Sequence, residues 1–199
     1  MVISLVTAQY PMIDFNKILN TVSKPFSNEI IQDIEKVATI ETLPKGTLIV
    51  KEGLVAHRLY FLDKGTARTY YYHNAKDITS WIYGENTPFT AWSSFFDRNP
   101  SFENVEILEE ATIVSFTKDN LENLYQQHAS FNHFGRRMVE QQLSYLDAFY
   151  KGYLFMTAKE RYDLLLSVFT DVTQRVNLGH IASLLGISQE TLSRIRAKR

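Results

Sequence analysis

Six short runs rich in β-branched and aromatic residues crowd one stretch of the chain: TLIVK (47–51), RLYFL (58–62), TARTYYYH (66–73), DITSWIY (77–83), NVEIL (104–108) and ATIVSF (111–116). Side chains of this kind pack well on a pleated surface. Around and between the runs stand Lys45-Gly46, Glu52-Gly53, Lys64-Gly65 and Asn74-Ala75-Lys76-Asp77, all of which favour tight turns. Parallel strands need long crossover connections, and no long helical pattern interrupts these runs. The stretch therefore predicts an antiparallel β-roll or barrel, cupin-like in architecture.

The flanks have a different period. Residues 15–39 hold apolar positions at helical spacing, among them Ile30, Ile34 and Val37, with Ser27 available as an N-cap. After Thr117 the helical period returns in DNLENLYQQH and again in a proline-free stretch, 131–155. There Val139, Leu146, Phe149, Tyr153 and Met156 follow a spacing near a heptad, while Phe134, Met138 and Tyr145 form a second stripe. A helix with two apolar faces has two partners: one stripe is expected on the roll, and the other, Val139, Gln142, Leu146, Phe149 and Tyr153, against a second copy of the chain. Thr157-Ala158-Lys159-Glu160 has the pattern of a capping box, so a new helix is expected to start abruptly there. The predicted organisation is α+β: 1–130, a roll with N-terminal helices; 131–156, a dimerisation helix; 157–199, a small helical domain.

Charge separates the two ends. Of 21 Lys and Arg and 22 Asp and Glu, the residues from 157 onward hold seven basic and four acidic, about +3, leaving fourteen basic and eighteen acidic, about −4, in the rest. A basic end on an acidic body is the pattern expected when that end meets a polyanion. With no cysteine there can be no disulfide, thiolate zinc site or iron–sulfur cluster. The histidines, His57, His73, His128, His133 and His180, are scattered, and no Ser/His/Asp spacing or phosphate-binding loop appears. The sequence thus predicts no metal and no catalytic site. No run of about eighteen apolar residues exists, and the start MVISLVTAQYP lacks a basic leader, which predicts a cytoplasmic protein without a membrane partner.

The last segment, LGHIASLLGISQETLSRIRAKR, meets the steric demands of a helix-turn-helix. Ala182 is small where two helices must approach, Gly186 supplies a left-handed corner, and Ile181, Leu185, Ile187, Leu192 and Ile195 bury the pair. Ser188 is the expected cap of the second helix. Its outward face would carry Gln189, Glu190, Ser193, Arg194, Ala197 and Lys198, with Arg194, Arg196, Lys198 and Arg199 as a cluster of cations. Hydrogen-bonding groups at one end and cations at the other suit base contacts and phosphate contacts respectively.

In PKGTLI (44–49), KEG (51–53), LYFLDKG (59–65) and ISQETLSRI (187–195) the chain resembles the Crp/Fnr family of bacterial transcription regulators over almost its whole length. The resemblance implies a cyclic-nucleotide-binding-like roll, a long dimerisation helix and a DNA-reading helix on which Gln189, Glu190 and Arg194 contact bases while Ser188 and Thr191 hold phosphates. Two departures qualify it. Members that bind cyclic AMP carry a glutamate for the ribose and an Arg-Ser pair for the phosphate, and here Trp92 and Phe102-Glu103 stand at those positions. The segment Phe89, Thr90, Trp92, Ser93, Ser94, Arg98, Phe102, Glu103 and Asn104 would then form an effector pocket for some ligand other than cyclic AMP, or fill itself; no cofactor is predicted. The second departure is that typical members continue into a β-hairpin wing, whereas this sequence stops at Arg199. The expected partners are double-stranded DNA, a second copy and, through the resemblance, RNA polymerase. The competing expectation is a cyclic-nucleotide or small-ligand sensor module that does not bind DNA.

Overall fold

A computed structural model describes residues 13–19 and 25–198. The segment MVISLVTAQYP, positions 20–24 of the N-terminal helical region and Arg199 lie outside the described residues. The N-terminal pattern forms two helices, α1 (Phe15–Leu19) and α2 (Asn28–Val37). Ser27 occupies the N-cap position of α2, but its side chain makes no capping bond. Helix α2 stops at Ala38, so Thr39 is not helical as its neighbours' spacing led us to expect.

Thr39 instead opens the first of eight strands: β1 (Thr39–Leu43), β2 (Leu48–Val50), β3 (Arg58–Lys64), β4 (Ala67–His73), β5 (Lys76–Tyr83), β6 (Pro88–Phe89), β7 (Asn104–Ile107) and β8 (Ala111–Thr117). They make two antiparallel sheets, in the orders β1-β8-β3-β6 and β2-β7-β4-β5. Six of them coincide with the β-branched and aromatic runs. The inner faces meet in an apolar core in which Leu62, Phe89, Ile107, Ile113 and Phe116 are fully buried. Each such side chain contributes about 1.5–3 kcal/mol relative to exposure.

Between β6 and β7 lies a short helix, α3 (Trp92–Asp97), stopped at Arg98 in the left-handed conformation. After β8 come α4 (Lys118–Gln127) and the 27-residue α5 (Ala129–Phe155). Thr117 caps α4 by accepting from the Asn120 amide at 3.2 Å. The first turns of α5 are anchored on the roll: Phe131, Phe134 and Met138 are buried, and Phe131 (tilted) and Phe134 (edge to face) pack around Phe26.

Beyond Met138 one stripe of α5 is bare. Val139, Leu143, Leu146, Tyr150 and Tyr153 recur in steps of four and three, and all five are exposed. Two expectations need correction. Phe149, assigned to the partner-facing stripe, turns toward the roll and meets Trp81 of β5, while Gln142 is half-buried; Leu143 and Tyr150 occupy the stripe in their stead. Tyr145, expected on the roll, is exposed, its hydroxyl accepting from Gln141 Nε2 on the same helix.

The chain then breaks at Met156 and restarts in α6 (Ala158–Val168), where Thr157 and Glu160 form both bonds of a capping box. Three short helices follow, α7 (Val172–Arg175), α8 (Leu178–Leu184) and α9 (Gln189–Ala197). Tyr162, Val172, Val176, Ile181, Leu184 and Leu192 make a second core, to which Ile82 and Leu108 of the roll also belong. Among the described residues no helix is long and apolar enough to cross a membrane.

Candidate nucleic-acid interface and effector segment

The corner between α8 and α9 is built by its own backbone. Asn177 caps α8, its side chain accepting from Gly179 N at 2.7 Å. At the other end the Gly186 amide bonds to Ser183 O and the Ile187 amide to Ala182 O, both at 3.0 Å, the paired bonds of a Schellman motif. That motif requires a left-handed residue, and Gly186 supplies it at φ +66. Ala182 is buried at the crossing. Ser188 then caps α9, its hydroxyl oxygen accepting from the Thr191 amide at 3.2 Å. Leu192 is fully buried, and Ile187 and Ile195 are partly so, which fixes the opposite side of α9 outward.

That outward side carries Gln189, Glu190, Ser193, Arg194, Arg196 and Lys198, all exposed. Ser188 is exposed as well, but its hydroxyl is engaged in the cap and in a 3.1 Å contact with the half-buried Thr191 hydroxyl. Arg194 Nε reaches back to Glu190 O at 3.4 Å, leaving the rest of its guanidinium toward solvent. The Ser188 hydroxyl holds the Glu190 carboxyl below its ordinary range, so it stays ionised. Gln189 lies over α8: a Cβ on Gly179 would stand 2.4 Å from its Nε2.

Contacts that the sequence did not announce seat this helical unit on the roll. His180 Nδ1 of α8 lies 2.9 Å from Nη1 of Arg68, and the Ser183 hydroxyl accepts from Thr79 N at 2.9 Å. Arg68 is itself held by both oxygens of Asp77 and by Glu106 and stacks 4.0 Å over Tyr70. Arg175 of α7 forms a second tie, to Glu85 and Glu109 at 2.9 Å. These pairs join positions far apart in sequence, and no local pattern marks them. Burial and the Arg68 charge lower the pKa of His180, which keeps the ring neutral against the arginine.

In the segment from Phe89 to Asn104 most polar groups are already used. Thr90 donates to Arg58 O, Ser94 accepts from Ala56 N and donates to Asn99 O, and Asn104 accepts from Glu52 N. Arg98 donates to Ala56 O and contacts His57. Phe89 is buried between Tyr60 and Tyr83. Trp92 stacks on Phe96, Ser93 is exposed, and Phe102 projects outward onto Tyr71. Glu103 is the exception: its carboxyl is half-buried, and desolvation raises its pKa to about 7.

Residues 40–128 match the family model of the cyclic nucleotide-binding domain. Among curated proteins none matches the chain. Solved structures share its fold at low identity. FixK2 from Bradyrhizobium japonicum is 17% identical with a TM-score of 0.65, covering 81% of this chain and 84% of its own. The c-di-GMP-responsive global regulator CLP of Xanthomonas campestris is 15% identical with a TM-score of 0.64, over 86% and 91% of the two chains. A protein of Eubacterium rectale assigned to the Crp/Fnr family of transcriptional regulators is 16% identical with a TM-score of 0.64, over 85% and 82%. Residues 40–128 are thus similar to a cyclic nucleotide-binding domain, and the chain shares its fold with these regulators.

Proposed function

We propose that the chain is a homodimeric, sequence-specific DNA-binding transcriptional regulator of the Crp/Fnr type, answering to an effector other than cyclic AMP or to none. One observation carries this reading: α9 leaves its glycine corner with Gln189, Glu190, Ser193, Arg194, Arg196 and Lys198 all exposed on the side away from the core. A helix presented in that way can enter a major groove, with Arg194 suited to guanine and Gln189 to adenine, while Arg196 and Lys198 neutralise phosphates. The helical unit, 157–199, is the DNA-binding domain in this reading. The bare stripe Val139, Leu143, Leu146, Tyr150 and Tyr153 has the heptad spacing of a two-stranded seam, which would pair two such heads on half-sites about one helical turn apart.

The effector segment fits a cyclic phosphate poorly. Arg98 is committed to Ala56 and His57, and Glu103 sets a carboxyl where an anion would need a donor.

The test is a selection of bound duplexes from a random pool at two salt concentrations. Enrichment of an inverted repeat, with affinity falling steeply as salt rises, is expected; a pool that stays random at both would refute the reading.

A further inference from the structure

A pocket of about 400 Å³ opens where α3, α4 and α5 converge on strand β3. It belongs neither to the face of α9 nor to the hydrogen-bonded turns of the effector segment. Its walls are apolar: Leu59 from the strand, Phe95 and Phe96 from α3, Leu121 and Tyr125 from α4, and Met138 from α5. Its closed end depends on one glycine. A Cβ on Gly135 would stand 2.6 Å from the Tyr125 ring, so only a bare backbone lets that ring lie against α5. The volume is at the lower end of what encloses small ligands and too small for a helix.

The rim is charged, and its balance is positive. Glu140 is bridged by both Arg136 and Arg137, which leaves one of those two positive charges uncompensated. Lys118 adds a second, its ammonium bonded to Phe96 O at 2.9 Å, and Glu122 opposes with one negative charge. Arg137 does not line the cavity, but it pairs with Glu140, so that of the lining charges Lys118 and Arg136 stand against Glu122 alone.

We infer that this pocket binds a small amphipathic anion, a compact apolar body with a single carboxylate head, the body between Phe95, Tyr125 and Met138 and the head at Lys118. Occupancy would tie α3 and α4 to the first turns of α5, as far as Val139, which both lines the pocket and begins the bare stripe. This site is independent of whether α9 reads DNA.

The test uses full-length protein with ¹³C-methyl methionine. Among the described residues Met138 is the methionine that lines the pocket, so its methyl resonance, assigned through Met138→Leu, reports occupancy. Titration with octanoate below its micelle-forming concentration should shift that resonance saturably and leave the others in place. Octanol should bind several-fold more weakly. Lys118→Gln should weaken octanoate several-fold and leave octanol unchanged, and Asn132→Trp, at the exposed lip, should abolish the shift while thermal unfolding stays near wild type. No shift, parallel shifts of all four methyls, or octanoate binding unchanged in Asn132→Trp would overturn the site. Equal binding of octanol and octanoate would overturn the carboxylate. A Met138 resonance that moves on dimer dissociation in Leu146→Asp, and not with octanoate, would mean that a second copy fills the pocket.

Discussion

The ring of Phe149 meets the indole of Trp81 edge to face, with centroids 5.0 Å apart, and so fastens the second half of α5 to strand β5. The same ring borders the second core. Phe149→Ala should therefore lower stability by about 1–2 kcal/mol without changing the mass in solution. Leu146→Asp, on the bare stripe, should do the opposite: sedimentation shifts to the monomer and the unfolding midpoint of the monomer stays unchanged. A Phe149→Ala protein that dissociates at wild-type stability would return Phe149 to the seam.

Glu103 gives the roll an inverted response to pH. Its carboxyl titrates near 7 in the folded protein and near its ordinary 4.5 in the unfolded chain, so the folded state holds the proton more tightly. Stability from this group is complete below the lower value and is lost as pH rises through the upper one. Glu103→Gln should gain on the order of 1–3 kcal/mol over wild type above neutral pH and little at acidic pH, measured by denaturant unfolding. A pH-independent difference would mean that this carboxyl is solvated.

His180 acts with the other sign. Burial and Arg68 lower its pKa from 6.5, so the unfolded state binds the proton first. The seating of α8 on β5 is then complete above that value and weakens as pH falls through it. Asp77 and Glu106 face the same ring and moderate the effect, while Lys45 adds to it. Acidification from neutrality should lower the melting temperature of wild type more than that of His180→Gln. Parallel losses in both would show that the ring stays neutral for other reasons or is free of Arg68.

Gly186 and Gly179 predict different things. At Gly186 the φ of +66 is unfavourable for any side chain, and an added Cβ would press on the Tyr153 hydroxyl at 2.7 Å. Gly186→Ala should cost more than about 1 kcal/mol and loosen α9. At Gly179 the obstacle is the movable amide of Gln189. Gly179→Ala should leave stability within about 1 kcal/mol of wild type and alter selectivity at the base pair that Gln189 contacts. Unaltered selectivity there would separate Gln189 from base reading.

How much of this the sequence announced depends on the range of the interactions. Six strands declared themselves because the residues suited to a pleated face lie between turn formers. Strand β1 did not: TIETL exposes Glu41 and Thr42 and becomes a strand only by pairing with β8, Ile40 opposite Val114. Strand β6 is two residues long, one of them a proline, and exists through its pairing with Tyr60 and Phe61. The corner at Gly186 was legible because its steric demands are local. The turn of Phe149 inward was not, since neighbouring stripes on one helix differ by a single position and the choice is made by Trp81 and the second core. Arg68, His180, Arg175 and the pocket beside Tyr125 are products of tertiary packing and have no local pattern.

A base-reading role for the exposed face of α9 requires that loss of one side chain be felt at one base pair. The most direct measurement is the affinity of wild type and Arg194→Ala for the selected duplex and for a set of its single base-pair variants at one salt concentration. Arg194→Ala should lose about 1–3 kcal/mol on the selected site and become indifferent at one base pair in each half-site. Uniform weakening on every duplex, or wild-type affinity on all of them, would contradict it.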